Sequence, residues 1–182
     1  GFNSKNYKIT KFKFKNFKTI FEVSINNKKY EFITNLIGKY NIYNLMSVII
    51  VLHKLDYSIS TIQDVVKNLE HPPGRMDTIY YNNSLIVVDY AHTPDAIFNV
   101  ISSVKEYTKG KIYSIIGCGG NRDKTKRKLM TFYATILSDN VIITSDNPRF
   151  EDINNIVSDM TSNLVKTNYE VITDRKEAII KG

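Results

Sequence analysis

The sequence predicts an α/β fold whose second half carries a mostly parallel sheet, preceded by a small antiparallel unit and a pair of helices. Two observations carry this reading. From Thr78 onward, short β-branched runs alternate with helical patterns, the order from which parallel sheets are built. Before that, residues 7 to 34 alternate polar and apolar positions with a period of two, as half-buried antiparallel strands do.

In chain order, Tyr7 to Phe14, Thr19 to Ile25 and Tyr30 to Ile33 read as strands, with a turn at Asn26-Asn27 between the last two. Gly38-Lys39-Tyr40-Asn41 leads into a helical stretch from Ile42 to Leu55. A second helix is expected from Ile62 to Leu69, opened by Ser60 with Gln63 three residues later. His71-Pro72-Pro73-Gly74 breaks the pattern, because proline lacks an amide hydrogen and glycine frees the backbone, so a domain boundary is expected between residues 72 and 73. Then follow strand Leu85 to Val88, helix Asp95 to Tyr107, strand Ile112 to Ile116 and helix Lys124 to Leu137. Strand Val141 to Thr144, helix Ile153 to Val165, strand Tyr169 to Ile172 and a helix from Arg175 complete the series. Such short apolar strands suit burial on both faces, and ligands of these sheets bind beyond the carboxyl ends of the strands.

Composition narrows the function classes. Hydrophobic content of 42% and charged content of 24% are those of a globular protein, and no apolar run reaches the roughly 18 residues of a membrane span. Gly1 to Lys15 lack the apolar stretch of a signal peptide, so a cytoplasmic location is expected. The single cysteine, Cys118, excludes an internal disulfide and argues against a cysteine metal cluster; it is expected to be small and buried. A net charge of +7 raises nucleic acid as a partner, but the basic residues are scattered and Lys, Asn and Ile are all abundant. Anionic small molecules such as nucleotides suit this charge equally, and no nucleic-acid partner is expected.

The strand ends hold the candidate chemistry. Asp89-Tyr90-Ala91-His92-Thr93-Pro94-Asp95 offers an acid for ribose hydroxyls, although Thr93 and Asp95 also fit an ordinary helix start. Gly117-Cys118-Gly119-Gly120-Asn121-Arg122-Asp123-Lys124 is a glycine-rich turn running into a basic helix. Glycines admit close approach and exposed helix amides favour anions, but the spacing is not that of a Walker A loop. Arg122 is its candidate carboxylate clamp. In Ser145-Asp146-Asn147-Pro148-Arg149, Asp146 and Asn147 would take an ammonium and Arg149 a carboxylate; the bland alternative is a turn.

Together these residues resemble the Mur ligase family, most closely its diaminopimelate-adding members. Gly38 to Asn44, Gly74-Arg75-Met76, Asp89 to Asp95, Gly117 to Asp123 and Asp146 to Arg149 occur in the family's order. The resemblance runs from Gly38 to the end, and residues 1 to 35 fit the last strands of the family's central domain. It implies the end of the central ATP-binding domain over residues 1–72 and a Rossmann-like C-terminal domain over 73–182. It also implies a reaction in which ATP, with Mg2+, phosphorylates the terminal carboxylate of UDP-N-acetylmuramoyl-L-alanyl-D-glutamate. The amine of meso-diaminopimelate then attacks that acyl phosphate. Asn41 and Asn44 would lie near the adenine, while Arg75, Asp89, Tyr90 and His92 would contact ribose or phosphate once the domains close. Arg122, Asp146, Asn147, Pro148 and Arg149 would receive the amino acid; lysine-adding relatives usually lack the last arginine.

The sequence departs from the family at Asn121, where an aspartate is common, and at Lys128, often a proline; neither is expected to touch the key contacts. It contains no phosphate loop, no magnesium ligands and no UDP-binding domain, so no catalytic or metal-binding residue is expected here and the chain alone is expected to be inactive. Addition of lysine or another diamino acid is the alternative within the family. A nucleotide-binding redox domain would need glycines that Asp89 to Asp95 lacks, and a noncatalytic nucleic-acid adaptor would leave the strand-end motifs unexplained.

Overall fold

The structure, a computed structural model, describes residues 6–15 and 18–182. Contacts divide the chain into two compact units, Gly1–Tyr90 and Ala91–Gly182.

The first unit opens with three antiparallel strands, β1 (Tyr7–Lys15), β2 (Lys18–Ile25) and β3 (Lys28–Thr34), in that order. Asn26 and Asn27 both adopt left-handed backbone, with φ of 48° and 67°, which matches the twist of a two-residue hairpin and which asparagine tolerates. The alternation seen in sequence buries Thr19, Phe21, Val23 and Ile25 on one face of β2. Phe21 and Phe32 face each other across β2 and β3 with stacked rings 5.4 Å apart. Helix α1 (Lys39–Lys54) lays Ile42, Leu45, Met46 and Ile49 into the same core, and α2 (Ile59–Lys67) adds Ile62 and Val66. The cap of α2 is Ser58, whose hydroxyl accepts from the Thr61 amide at 3.1 Å. Ser60 sits inside the first turn and Gln63 reaches instead to the Glu31 carbonyl at 2.7 Å. Ser58 takes the cap because its backbone is extended, as a capping residue's must be.

The strand expected at Leu85–Val88 is β5 (Ser84–Val88), one arm of an antiparallel hairpin with β4 (Asp77–Tyr81) and no part of the parallel sheet. The turn between them is a second asparagine pair, Asn82-Asn83, again left-handed at 44° and 63°.

In the second unit, β6 (Tyr113–Ile116), β7 (Asn140–Ile143) and β8 (Tyr169–Val171) form the predicted parallel sheet with β7 central. Val141, Ile142 and Ile143 are consecutive and all buried, as covering on both faces requires. Helices α3 (Pro94–Tyr107), α4 (Thr125–Leu137) and α5 (Ile153–Thr161) supply Ile97, Ile101, Met130, Ala134, Ile156 and Met160 to this core; α6 (Arg175–Lys181) follows β8. Thr93 caps α3 ahead of Pro94, and Asp152 and Asp174 cap α5 and α6. Helix α5 stops at Thr161, four residues before the expected Val165, and Asn163 beyond it is left-handed at 54°. Cys118 is buried as expected, and burial pushes its thiol up to about 11. No helix among the described residues is long and apolar enough to cross a membrane.

Candidate functional site

Within the first unit, Asn41 and Asn44 lie one turn apart at the start of α1. Asn41 donates to the Ile37 carbonyl at 2.7 Å and accepts from the Asn44 amide at 3.3 Å, so the two side chains hold each other on one face. The β4–β5 hairpin places its two flanks together: the Met76 amide donates to Asp89 Oδ2 at 2.8 Å, and the Arg75 guanidinium lies 4.8 Å above the Tyr90 ring. Asp89 is half-buried, and Arg75, the neighbour of its Met76 partner, is exposed. His71, which the sequence offered only as part of a breaker, links the two loops. Its Nδ1 lies 3.1 Å from the Arg75 carbonyl, and its Nε2 lies 3.3 Å from the Ile37 amide and 3.2 Å from the Asn35 carbonyl, accepting from the first in one tautomer and donating to the second in the other.

Within the second unit, three loops converge on the start of α4. Lys126 donates to the His92 carbonyl at 2.9 Å, just ahead of α3. The other two loops are joined directly: the Gly120 amide donates to the Asn147 carbonyl at 2.9 Å, and Arg149 Nη1 donates to the Gly120 carbonyl at 2.7 Å. Two glycines permit this. A Cβ on Gly120 would stand 1.9 Å from the Pro148 carbonyl oxygen, and one on Gly119 would stand 2.9 Å from Arg149 Nη1. Asn121, expected to be a neutral departure, sits between the loops. Its amide donates to Glu151 at 3.0 Å, its side chain accepts from the Phe150 amide at 3.0 Å, and its φ of 50° is one asparagine tolerates.

Sequence reasoning missed Arg127, which is 0% exposed and lies beneath both loops. Its guanidinium makes two parallel bonds of 2.7 Å to Glu151, one of 2.8 Å to Asp159 and one of 3.3 Å to the Gly119 carbonyl. Lys124 adds an ion pair to Glu151 at 3.0 Å. The Arg127 guanidinium holds the Glu151 carboxyl well below the usual carboxylate range, helped by the Asn121 amide. Asp123, also lowered, is held by the hydroxyl and amide of Thr125.

The turn reading of Asp146-Asn147-Pro148-Arg149 is also present. Asp146 accepts from the Asn147 amide at 2.7 Å, Asn147 from the Arg149 amide at 3.1 Å, and Arg149 is left-handed at 53°. These bonds use one of the two Asp146 carboxylate oxygens and the single side-chain oxygen of Asn147. Exposed Asp146, Asn147, Arg149 and Arg122 remain able to meet a ligand, and Arg122 makes no hydrogen bond or ion pair among the described residues. An acid, an amide and two guanidinium groups on adjoining loops match a zwitterionic ligand with an extra carboxylate. The Asp89–Arg75–Tyr90 cluster fits a nucleoside phosphate through its acceptor, cation and ring. No group of three or more His, Cys, Asp or Glu side chains among the described residues is placed to hold a metal ion.

Comparison with known proteins places the chain in a family. A family model described as Mur ligase, glutamate ligase domain, matches residues 74–181. The UDP-N-acetylmuramoyl-L-alanyl-D-glutamate–2,6-diaminopimelate ligase of Bacillus cereus is 45% identical over 145 residues, covering 79% of this chain and 30% of that protein. A solved structure of a UDP-N-acetylmuramoyl-L-alanyl-D-glutamate–2,6-diaminopimelate ligase is 35% identical and superposes with a TM-score of 0.67, over 97% of this chain and 37% of its own. The MurF ligase of Thermotoga maritima in complex with ADP, 17% identical, superposes with a TM-score of 0.75 over 100% of this chain and 40% of its own, a likeness of fold. The chain spans about a third of the length of the curated relatives it matches.

Proposed function

The chain belongs to the Mur ligase family, and from that premise we propose that it forms the carboxy-terminal part of an ATP-dependent ligase joining meso-diaminopimelate to UDP-N-acetylmuramoyl-L-alanyl-D-glutamate in peptidoglycan synthesis. The observation that carries this reading is the Asp146–Arg149 turn seated on the glycine loop beside exposed Arg122. Diaminopimelate differs from lysine by one carboxylate. A guanidinium aimed at that group gains a charge-assisted bond with the right substrate and is left unpaired by the wrong one. Lysine is therefore the competing substrate that the test must include.

In this reading ATP phosphorylates the dipeptide's terminal carboxylate, the amine of the incoming amino acid attacks the acyl phosphate, and phosphate leaves as the amide forms. This chain's residues bind and orient. Asn41 and Asn44 meet the adenine; Arg75, Asp89, Tyr90 and His92 meet ribose or phosphate; Asp146, Asn147, Pro148, Arg149 and Arg122 meet the amino acid. Magnesium, which would neutralise the phosphates, is assigned no ligand here, and the phosphate-binding loop belongs to the rest of the longer protein. Residues 1–72 form the end of the central domain and 73–182 the C-terminal domain in this reading, which the family match beginning at residue 74 supports, whereas contacts divide the chain later, between Tyr90 and Ala91. In this reading the enzyme works in the cytoplasm.

Arg149→Ala in the full-length enzyme tests the assignment. It should raise the diaminopimelate KM roughly 10- to 100-fold, the value of a bond to a charged group, and leave the KM for ATP unchanged. An unaltered diaminopimelate KM would remove Arg149 from the site.

A further inference from the structure

Arg127 and Glu151 have no part in the reading above, yet they hold its pieces together. The run Thr125-Lys126-Arg127-Lys128 looks like a solvated helix start, but Arg127 is fully buried. A buried guanidinium depends on its partners, and removing one leaves an uncompensated charge; here both terminal nitrogens are bonded while Nε has no partner among the described residues. Four of its bonds are accounted for, and they are not spread at random. One goes to the glycine loop at the Gly119 carbonyl, two go to Glu151 two residues beyond Arg149, and one goes to Asp159 on α5. Glu151 Oε2 in turn accepts from the amide of Asn121, the neighbour of Arg122. One carboxylate therefore stands one bond from the loop bearing Arg122 and two residues from Arg149, and one guanidinium beneath it fixes where that carboxylate lies.

We propose that Arg127 and Glu151 are a positioning pair that sets the spacing between Arg122 and Arg149, and thereby the length of diamino dicarboxylate the site accepts. The pair touches no substrate; it acts through the two loops. The inference rests on the assignment of Arg122 and Arg149 to the amino acid. Its chemistry predicts a particular failure. When the loops drift, recognition of the second carboxylate suffers most, because two guanidinium groups must meet two carboxylates at a fixed separation. Lysine, which has only one carboxylate, is less affected.

The test uses the full-length ligase with Glu151→Gln, which keeps the shape and removes the charge, and Arg127→Lys, which keeps the charge and removes the paired bonds. Both should raise the KM for meso-diaminopimelate at least about tenfold while the KM for ATP stays within about twofold. Discrimination against lysine should fall with it. Asp159→Asn neutralises a partner of the same guanidinium that touches neither loop; it should lower the melting temperature without changing the diaminopimelate KM. Should Arg127→Lys fail to fold, Glu151→Gln carries the test. Amide hydrogen exchange gives an independent readout, since Gly120 and Asn121 should lose protection in Glu151→Gln while β6 and β7 keep theirs. A merely structural role would move both KM values together, or move Asp159→Asn as far as Glu151→Gln, and either result would overturn the proposal. So would retained protection at Gly120 and Asn121, or lost protection with an unchanged diaminopimelate KM. If the unmutated enzyme joins no diamino acid at all, the assigned substrate is wrong, and the exchange measurement still decides whether the pair couples the loops.

Discussion

Replacing Gly120 with alanine puts the loop packing under direct strain. The added Cβ would sit 1.9 Å from the Pro148 carbonyl oxygen and 2.6 Å from its carbonyl carbon, both backbone atoms that cannot rotate away. A normal contact of about 3.4 Å for packed atoms needs the loops to part by roughly 1.5 Å. That movement breaks the Gly120 amide bond to Asn147 and draws Arg149 Nη1 off the Gly120 carbonyl. A misplacement of about 1 Å at a reacting or binding group costs on the order of 100-fold. The expected result is a loss of that order in kcat/KM for diaminopimelate, measured by phosphate release in the full-length enzyme, with ATP binding intact. Overpacking should also destabilise the protein by about 1–3 kcal/mol. Gly110→Ala is the matched control, because its nearest neighbour would be the Thr108 hydroxyl at 3.5 Å, an ordinary contact. Equal kcat/KM for Gly120→Ala and Gly110→Ala would refute the idea that close loop packing sets the amino-acid site.

Arg75→Ala should raise the KM for ATP roughly 10- to 100-fold and leave that for diaminopimelate unchanged; the reverse pattern would move Arg75 out of the nucleotide group. Ser58→Ala removes the α2 cap and should cost about 1 kcal/mol in chemical denaturation, whereas Ser60→Ala should cost only a few tenths, although Ser60 is the residue the sequence pattern favours. Glu151 supplies the pH prediction. Its folded carboxyl lies well below the ordinary value because of Arg127, so its stabilising contribution is whole above the unfolded value of about 4.3 and is lost as pH falls further. The difference in melting temperature between the unmutated protein and Glu151→Gln should hold steady from about pH 7 down to about pH 5 and shrink below about pH 4. A difference that persists undiminished in stronger acid would contradict that cause.

Where local chemistry decides the structure, the sequence was legible. The first three strands follow from their alternation, the parallel sheet from its three short apolar runs, and the turn at Asn26-Asn27 from asparagine's tolerance of left-handed backbone. The same asparagine signal at Asn82-Asn83 went unread, and with it β4, because Asp77-Thr78-Ile79-Tyr80-Tyr81 remains largely exposed and shows no buried alternation. Ser58 and Ser60 compete for one cap on equal chemical terms, and only backbone geometry separates them. In the candidate site, residues recognisable by type and order stand in related places: Arg75 lies over the Tyr90 ring, Asp89 bonds the Met76 amide next to Arg75, and the glycine loop receives the Asp146–Arg149 turn. Arg127 stayed hidden because burial of a charge depends on acids 24 and 32 residues away in sequence. His71 stayed hidden for a similar reason, its partner Ile37 lying 34 residues earlier.

Ligation by the full-length parent protein tests the central claim most directly. Phosphate release is followed with ATP, UDP-N-acetylmuramoyl-L-alanyl-D-glutamate and either meso-diaminopimelate or lysine. The account predicts release, and a new amide, with diaminopimelate and little or none with lysine. Release with lysine in preference to diaminopimelate would contradict the reading of Arg149, and release with neither would contradict the assigned reaction.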